Sequence, residues 1–512
     1  MSSLGEAVRG AMTRDPVGPA IRYDGQWTTW GELAGIVDGL KAHFARLGLP
    51  QGAQIGCVLR NRPLPCGAML ATVALDSCAV TFNGLLPDEK LPDDIRAANP
   101  PVVVAPADDW DRPAVVEAAR AIGAAGLSLT GDARSPVESV PGLENLGQGG
   151  HAPPQPDIAI LMLTSGTTGK PKRVPLKAAI LERQLIEAAG GQRHPPGEQT
   201  AAPSTPAAAG GVSPMTGSIV HIGGVWGLFG AAMAGRPIAL YDKFTVEAWR
   251  QSVEEFRPRA SGAPPAALRM ILDANLPKET FSSLISLGAG TAALDPAIVD
   301  EFLARYDLPV LSNYGATEFA GGVASWSMKA FRQYWTTKRG AVGRIHHGVE
   351  ARIVDPETDR VQPFGEEGLL ELKGFQVGDG ESWVRTTDRG VLDEDRFLWI
   401  RGRADNAINR GGFKVHPDEV VAVLERHPAV REASVVGLPD RRLGHVPVAA
   451  VILRAGAASP SDAELADWVR GKLMAYCVPV AFKVVDDLPR TPSMKVSTPA
   501  VRELFTERPI AG

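Results

Sequence analysis

The feature that most constrains the fold is an apolar strand that leads directly into a loop of glycines, hydroxyl residues and lysines. Residues 158 to 163 read Ile-Ala-Ile-Leu-Met-Leu, and the next nine read Thr-Ser-Gly-Thr-Thr-Gly-Lys-Pro-Lys. Glycines let the backbone turn its N–H groups toward one point, while hydroxyl and ammonium groups add donors and positive charge. We therefore expect a cradle for a triphosphate, formed by Thr164, Ser165, Gly166, Thr167, Thr168, Gly169, Lys170 and Lys172.

This loop is not a Walker A loop, in which two glycines stand five positions apart before a lysine, and serine or threonine follows it. Here Pro171 follows Lys170, and Thr164 stands where the first glycine would be. A flexible surface linker of glycine and serine is the alternative interpretation. The buried type of the preceding strand disfavours that alternative.

The length and composition predict at least two domains and small-molecule partners. A single hydrophobic core stops growing well below 512 residues, and 44% of these residues are hydrophobic, so a large domain and a small one are expected. The formal net charge of -5 provides no broad basic surface for nucleic acid or anionic lipid, so anion binding has to be local.

The cysteines and the apolar segments predict a cytoplasmic protein without a membrane span. The four cysteines lack Cys-x-x-Cys spacing, which argues against a disulfide framework or a metal site. Residues 1 to 17 have no apolar core of signal-peptide length. The longest apolar stretch, residues 219 to 235, contains His221 and several glycines, so we expect a buried helix there.

The spacing of apolar residues predicts an α/β architecture. The segment Thr28-Thr29-Trp30-Gly31-Glu32 has a capping-box pattern, and apolar residues then recur at helical spacing until Gly48. Strands are expected at 54 to 59 and 102 to 105, with a helical segment at 68 to 75 between them. This alternation predicts a doubly wound parallel sheet.

The character of the sequence changes after Arg403. A helix is expected from Pro417 to Leu424, strands at 433 to 437 and 446 to 453, and a further helix capped by Ser461. These elements form a compact α/β unit of about 100 residues, which is a normal domain size. We therefore divide the chain into a region of residues 1–403 and a domain of residues 404–512.

Several motifs, taken in order, resemble those of the adenylate-forming superfamily of acyl-CoA synthetases, peptide-synthetase adenylation domains and luciferases. They are the loop at 164–172, Asn313-Tyr-Gly-Ala-Thr-Glu318, Trp383-Val-Arg-Thr-Thr-Asp388 and Leu488-Pro-Arg-Thr-Pro-Ser-Met-Lys495, and the similarity covers nearly the whole chain. The resemblance implies a large N-terminal region of doubly wound α/β subdomains with a small barrel-like part, followed by a small, mobile C-terminal α/β domain. Asp405 takes the hinge position.

The resemblance also implies that ATP and Mg²⁺ are bound. Asn313 and Tyr314 match the adenine-binding positions, where an amide and a flat ring suit a purine. Thr317 offers a hydroxyl to the α-phosphate, and Glu318 offers Mg²⁺ a hard oxygen ligand. Asp388, together with Arg403, matches the residues that hold the ribose, and a carboxylate there accepts two hydroxyl donors.

Lys495 resembles the lysine that enters the active site of this superfamily during adenylation. There it bridges the substrate carboxylate and the α-phosphate, and so offsets the repulsion between two anions. With Thr317 and Glu318, Lys495 makes up the expected catalytic set.

Further positions resemble the acyl pocket and the acceptor tunnel of the superfamily. Amino-acid-activating domains carry an aspartate near the position of His221, whereas Val220-His221 has no anion to pair with an ammonium group, which favours an acid without an α-amino group. The expected pocket residues are His221, Gly288, Ala289, Gly290, Gly315 and Ala316, and the expected tunnel residues are Gly411 and Gly412, with Arg441 and Arg442 as candidates for a CoA phosphate.

Together these features predict an ATP-dependent, AMP-forming ligase that activates a small carboxylic acid and then transfers the acyl group to CoA. An amide ligase with an amine acceptor is the alternative, which departures from the family pattern at Arg173, Thr387 and Met494 keep open. A non-catalytic nucleotide-binding protein is a third interpretation, which failure of ATP–pyrophosphate exchange would favour.

Overall fold

The computed structural model describes residues 3–164, 172–189, 211–411, 413–491 and 494–506. The predictions that concern Ser165, Gly166, Thr167, Thr168, Gly169, Lys170 and Gly412 lie outside the described residues.

The helices of the described chain alternate with strands almost throughout its length. They are α1 (Ser3–Arg14), α2 (Trp30–Arg46), α3 (Pro63–Ala74), α4 (Leu91–Ala98), α5 (Ala107–Trp110), α6 (Pro113–Ala121), α7 (Ala178–Ala189), α8 (Ile222–Ala234), α9 (Val246–Phe256), α10 (Pro265–Asp273), α11 (Pro296–Tyr306), α12 (Met328–Tyr334), α13 (Pro417–Leu424), α14 (Asp462–Arg470) and α15 (Thr498–Thr506).

The strands form four sheets. They are β1 (Pro19–Tyr23), β2 (Gln26–Thr29), β3 (Gln54–Leu59), β4 (Cys78–Asn83), β5 (Val102–Pro106), β6 (Ala125–Leu129), β7 (Val137–Ser139), β8 (Ile158–Thr164), β9 (Lys172–Lys177), β10 (Ser213–Met215), β11 (Ile238–Leu240), β12 (Ala260–Gly262), β13 (Ser286–Ala289), β14 (Val310–Ala316), β15 (Gly321–Ser325), β16 (Gly343–Ile345), β17 (Val349–Val354), β18 (Glu367–Gly374), β19 (Val384–Leu392), β20 (Phe397–Arg403), β21 (Ile408–Arg410), β22 (Phe413–Val415), β23 (Val430–Asp440), β24 (Gly444–Leu453) and β25 (Phe482–Val484).

The first large sheet has the strand order β7-β6-β5-β3-β4-β8-β9. Its inner strands are parallel, and only β7 and β9 at the two edges run antiparallel to their neighbours. Every residue of β3 and β5 is buried, as expected for parallel strands covered by helices on both faces. The predicted strands at 54 to 59 and 102 to 105 are confirmed.

The second large sheet has the order β12-β13-β14-β15-β16-β20-β19-β18-β17. Strands β12 to β14 are parallel, while the strands from β14 onward pair antiparallel. These antiparallel strands continue the parallel half of the sheet through β14. Among the described residues the sheet is open, with β12 and β17 at its edges, so the barrel-like part stays a prediction. Parallel and antiparallel pairing therefore meet at β14, and the motif Asn313 to Glu318 begins on that strand.

Local sequence patterns account for several helix boundaries. Thr29 and Glu32 form the predicted capping box, with Glu32 N donating to Thr29 Oγ1 at 3.2 Å and Thr29 N donating to Glu32 Oε2 at 2.7 Å. The helix predicted at 68 to 75 begins earlier, because Pro63 occupies the first turn, where its missing N–H costs nothing. The apolar stretch 219 to 235 contains the interior helix α8, as predicted. Within the described ranges, no helix combines the length and apolar character that a membrane crossing requires.

The last sheet has the order β22-β21-β24-β23, with β25 beside β24. Strand β20 ends at Arg403 and is followed by the short turn Ala404–Asn406. The first strand of this sheet comes directly after that turn. Helix α13 and strands β23 and β24 contain the predicted segments, and Ser461 and Glu464 form a second capping box. The α/β fold, with a large N-terminal region and a small C-terminal domain, is confirmed.

We expect Glu425→Gln to stabilise the protein above neutral pH. Burial raises the pKa of Glu425 to about 7 from an ordinary 4.5, and the charges of Asp295 and Glu432 add to the rise. Between these pH values the unfolded chain loses the proton while the folded protein keeps it, so stability falls as pH rises through about 7, by up to about 3 kcal/mol. The amide removes this loss.

Thermal denaturation at about pH 5.5 and about pH 8.5 measures the effect. The midpoint of the variant should exceed that of the unaltered protein mainly at the higher pH, and Glu503→Gln, at an exposed position, is the matched control. An equal change at both pH values would contradict the assigned cause.

Candidate active site

Four segments from distant parts of the chain, which carry His221, Glu318, Arg403 and Lys495, come close enough for their charges to interact, and we call the space between them the cleft. The Lys495 ammonium group interacts electrostatically with Arg403 and with Glu318, and it also acts on His221. The surrounding protein and the Arg403 charge lower the pKa of Lys495, and Glu318 opposes that change. The lysine keeps exposed surface, so the cleft is open to solvent at this point.

The turn at Thr317–Phe319 follows β14 and carries two of the predicted catalytic residues. A side chain at Gly315 would meet the carbonyl oxygen of Gly321 at 2.1 Å, so the close pairing of β14 with β15 requires glycine there. Glu318 is exposed at the tip of this turn. Its carboxylate is thus available to a ligand in the cleft.

The two ends of the predicted triphosphate loop lie close to the same turn. Thr164 pairs with Lys172 at the ends of β8 and β9, so the chain leaves and re-enters the sheet at one place. Strand β9 in turn packs against Thr317–Phe319. The strand that follows the loop thus packs against the turn that carries Glu318, while residues 165–171 themselves lie outside the described chain.

Asn313 and Tyr314, the predicted adenine-binding residues, are held by polar contacts. Asn313 Nδ2 donates to the Ala289 carbonyl oxygen at 3.1 Å, and the absence of a side chain at Gly290 makes room for the Asn313 amide. The Tyr314 hydroxyl donates to Asp388 Oδ2 at 2.5 Å. Burial and the Asp388 charge raise the pKa of Tyr314, so this phenol stays a donor.

Asp388 lies opposite Arg403 in the β19–β20 pair. Burial raises the pKa of Asp388, while the Tyr314 hydrogen bond and the Arg403 charge act in the other direction. Thr386 was not predicted, although it supports this site: its hydroxyl accepts from Asp388 N at 3.1 Å and donates to the Leu370 carbonyl at 2.9 Å. A hydroxyl two residues away on the same strand face was the sequence feature that could have indicated it.

Arg403 connects the site to the predicted hinge. Its Nε and Nη2 donate to the two carboxylate oxygens of Asp405 at 2.9 and 2.7 Å. The backbone N–H of Arg403 also interacts with the Asp418 carboxylate at the start of α13. Arg403 therefore contacts the hinge position and the C-terminal domain while its charge acts on Asp388 and Lys495.

Lys495 stands on a tight loop that Arg490 holds in place. Arg490 Nη2 donates to both carboxylate oxygens of Glu432 at 2.8 and 2.7 Å, and Thr491 N donates to the Lys495 carbonyl at 2.8 Å. Met494 has a φ of 63°, a left-handed conformation that disfavours side chains other than glycine by about 1–2 kcal/mol. The departure from glycine at 494 therefore puts backbone strain directly beside the lysine.

His221, one of the predicted acyl-pocket residues, lies close enough to Lys495 for the lysine charge to act on it. His221 precedes α8, and its Nε2 is buried without a hydrogen-bond partner in the described part of the chain. Burial, followed by the Lys495 charge, lowers the pKa of His221 to about 4, so the imidazole is neutral at physiological pH. Trp226, which the sequence reasoning missed, donates its indole N–H to the Ala320 carbonyl at 2.9 Å and lies against Gly321.

Small residues occupy the predicted pocket positions on β13 and β14. Strand β13 carries Gly288 and Ala289 and is parallel to β14, which carries Gly315 and Ala316. A side chain introduced at Gly288 would find its nearest neighbours in Gly262 and Ser261, at 3.9 Å. Four of the six predicted pocket residues thus lie on two neighbouring strands, and Gly288 has no side chain close to it on the side of β12.

Two of the three departures from the family pattern point away from the cleft. Arg173 Nη2 forms a 2.6 Å ion pair with Asp94, Nη1 donates to the Thr81 carbonyl at 3.1 Å, and the guanidinium lies 5.0 Å from the centre of the Phe82 ring. This arginine fastens edge strand β9 to the sheet. Thr387 is exposed and alternates with Asp388 along β19, so its side chain lies on the opposite face.

The predicted acceptor loop contains Gly411, whose φ of 59° requires a glycine-like conformation. Gly411 N donates to the Leu443 carbonyl at 2.7 Å, so this turn packs directly against the exposed turn that carries Arg441 and Arg442. Its neighbour Gly412 lies outside the described residues. Two exposed guanidinium groups therefore stand beside the predicted acceptor loop.

The site fits a magnesium ion that is shared with a nucleotide better than a protein-only metal centre. Among the described residues, no group of three or more His, Cys, Asp or Glu side chains is arranged to hold a metal. Mg²⁺ commonly takes one or two carboxylates together with substrate phosphates and water. The exposed Glu318 carboxylate beside the ends of the loop suits that mode of binding.

The sequence is similar to those of several CoA ligases. A 4-chlorobenzoate–CoA ligase from Arthrobacter sp is 27% identical, with 98% of this chain and 95% of that protein covered. A 2-succinylbenzoate–CoA ligase from Bacillus velezensis is 31% identical, with 68% and 69% covered. A 4-coumarate–CoA ligase-like protein from Arabidopsis thaliana is 28% identical, and the match covers 67% of this chain and 61% of that protein's length.

Two solved structures share the fold at lower identity. The o-succinylbenzoate CoA synthetase from Bacillus subtilis, in complex with its acyl-adenylate intermediate, has a TM-score of 0.75 at 23% identity over 97% of both chains. An amide bond synthetase from Marinactinospora thermotolerans has a TM-score of 0.76 at 23% identity over 98% of this chain and 100% of its own.

The chain matches two family descriptions, one for the large N-terminal region and one for the small C-terminal domain. Residues 419–495 match the AMP-binding enzyme C-terminal domain, and this segment ends at Lys495. Residues 8–380, which include β14 and the turn with Glu318, match the AMP-binding enzyme family. The chain therefore belongs to the AMP-binding enzyme family.

Proposed function

We propose that this protein activates an aromatic carboxylic acid as an acyl-adenylate and transfers the acyl group to CoA. The observation that carries the proposal is the meeting of Lys495 with Glu318, Arg403 and His221 in one cleft. There Lys495, from the C-terminal domain, would face Glu318, whose carboxylate suits Mg²⁺. It would also face Asp388, whose carboxylate suits the ribose hydroxyls. No single segment of the chain carries all of these groups.

In the first half-reaction a carboxylate oxygen of the acid attacks the α-phosphorus of ATP. The bond from that phosphorus to the oxygen bridging to the β-phosphate breaks, and pyrophosphate leaves with the electron pair. Lys495 would lie between the two anionic reactants and reduce their repulsion, an effect often worth about 3 kcal/mol. Asp388 and Arg403 would hold the ribose, so the protein acts mainly through positioning and charge.

Glu318 is the residue that would hold Mg²⁺, with Thr317 donating its hydroxyl to the α-phosphate. When bound, the ion supplies positive charge to the phosphate oxygens and orients them. The single exposed carboxylate is consistent with this shared mode of binding.

The pocket favours an acid without an ammonium group. His221 is neutral, because its pKa is about 4, and a neutral imidazole offers no charge to pair with an amine. Trp226 and the small residues Gly288-Ala289 of β13 and Gly315-Ala316 of β14 would present flat, largely apolar surfaces, which suit a planar ring. The similarity to ligases named for chlorobenzoate and succinylbenzoate agrees with an aromatic substrate.

In the second half-reaction the acceptor sulfur attacks the carbonyl carbon of the adenylate. The bond from that carbon to the phosphate oxygen breaks, AMP leaves, and the thiol proton is lost to solvent. We favour CoA because Arg441 and Arg442 stand beside the Gly411 turn, where they could pair with its phosphates. An amine acceptor lacks those phosphates, although the fold is shared with an amide bond synthetase.

ATP–pyrophosphate exchange over a panel of benzoic, cinnamic and aliphatic acids tests the first step. Mass analysis of products formed with CoA or with a mixture of amines tests the second. We expect exchange with at least one aromatic acid and a thioester product. Exchange followed by amide formation alone would replace CoA with an amine, and exchange with no acid would refute the proposed activation.

Lys495→Ala should abolish most of the first half-reaction and spare the second. Loss of one charge-stabilising donor in a closed site costs about 10²–10³ in rate, so ATP–pyrophosphate exchange should fall by at least about a hundredfold. Transfer from a supplied acyl-adenylate to CoA should stay within a few-fold of the unaltered rate. Equal loss of both half-reactions would contradict the assigned role.

Replacing both Arg441 and Arg442 with glutamate should raise the KM for CoA without changing the adenylation rate. Reversal of two charges repels the phosphates of CoA, and we expect the KM to increase about tenfold or more. Steady-state kinetics with CoA and with pantetheine, which lacks those phosphates, separate the cause. A similar increase for both thiols, or none, would exclude this surface as the phosphate site.

A further inference from the structure

The C-terminal domain contacts the N-terminal region through an ion pair outside the hinge segment. Arg431 Nη1 on β23 lies 3.2 Å from Asp273 Oδ2, at the last residue of α10. A second pair, between Arg389 and Glu419 at 3.1 Å, joins β19 to the first turn of α13, and α13 packs against β20 close to Asp405. Strand β19 also packs against the turn that carries Asp405, so the Arg389–Glu419 pair lies on elements at the hinge, whereas the Asp273–Arg431 pair joins β23 to α10.

Arg431 occupies an unusual backbone position. Val430 pairs with Leu453 and Glu432 pairs with Ile452, so Arg431 is the extra residue of a β-bulge at the start of β23. Bulges change the direction of a side chain and occur often beside active sites. In this protein the bulge places the guanidinium against α10 of the other region.

The next residue connects this contact with the catalytic lysine. Glu432 accepts both hydrogen bonds from Arg490, and Arg490 begins the loop that carries Lys495. Arg490 also donates to the Met494 carbonyl at 3.3 Å. Two adjacent residues of β23 thus fix the docking contact with α10 and the loop at the active site.

Resting on the proposed function, we infer that the Asp273–Arg431 ion pair is a latch that holds the C-terminal domain in the arrangement for adenylation. Both residues are positioning residues, because they touch neither nucleotide nor acid. While the latch is formed, the bulge and the Glu432–Arg490 contact keep Lys495 in the cleft. Its opening releases the domain for the acyl-transfer step.

The strength of the contact suits a reversible latch. The guanidinium meets Asp273 through one nitrogen, and the two side chains are 31% and 42% exposed. Ion pairs this accessible to solvent are weak, so the latch should shift the balance between arrangements by about fivefold rather than lock one of them. High salt should weaken it further.

The test compares the two half-reactions in variants of the pair. Asp273→Asn and Arg431→Gln should each lower the single-turnover adenylation rate about fivefold, while transfer from a supplied acyl-adenylate to CoA is unchanged or faster. The double variant should be no slower than either single one, and the exchanged pair Asp273→Arg with Arg431→Asp should recover adenylation. Asp467→Asn, which removes an ion pair within α14, is the control and should change neither step.

A measurement without catalysis separates failure of the latch from failure of the proposed function. The four native cysteines are buried, so fluorophores can be attached to cysteines introduced at the exposed positions Val361 and Val480. Asp273→Asn should shift the energy-transfer distribution toward a second arrangement. An unchanged distribution, equal slowing of both half-reactions, or additive effects of the two substitutions would overturn the latch, even if some acid supports exchange.

Discussion

The arrangement of the site depends on the electrostatic interaction of groups from the two parts of the chain. Lys495 comes from the C-terminal domain, while Glu318 and Arg403 belong to the larger region, and each acts on the lysine in the cleft. The lysine, the arginine and the acid together carry a net positive charge. A bound anion would supply the missing negative charge. The interaction therefore explains both how the domains are arranged and what the cleft can bind.

The fold positions these groups at β14, the strand where parallel pairing changes to antiparallel pairing. Strand β14 is parallel to β13 and antiparallel to β15, and the turn with Glu318 lies at its end. Gly315 permits the close approach to Gly321, and the Tyr314–Asp388 hydrogen bond joins this strand to β19. In the proposed function, the small residues of β13 and β14 would leave space for an acyl group, and Asn313 and Asp388 would hold the nucleotide.

The sequence predicted what depends on local pattern and missed what depends on contacts between distant segments. The capping box at Thr29, the buried parallel strands and the change of character after Arg403 follow from short-range preferences and periodicity. The Tyr314–Asp388 bond joins residues 74 positions apart, and only the folded sheets bring them together. Arg173 departs from the family pattern beside the predicted loop. Its side chain nevertheless pairs with Asp94, because successive side chains of β9 lie on opposite faces of the sheet and Arg173 lies on the face toward Asp94.

A crystal structure of the protein with MgATP bound tests the central claim most directly. The account predicts that the ribose lies on Asp388, that Glu318 contacts the metal between the phosphates, and that the Lys495 amine faces the α-phosphate from the C-terminal domain. A nucleotide bound in a different cleft, with these three side chains left out of contact with it, would contradict the account.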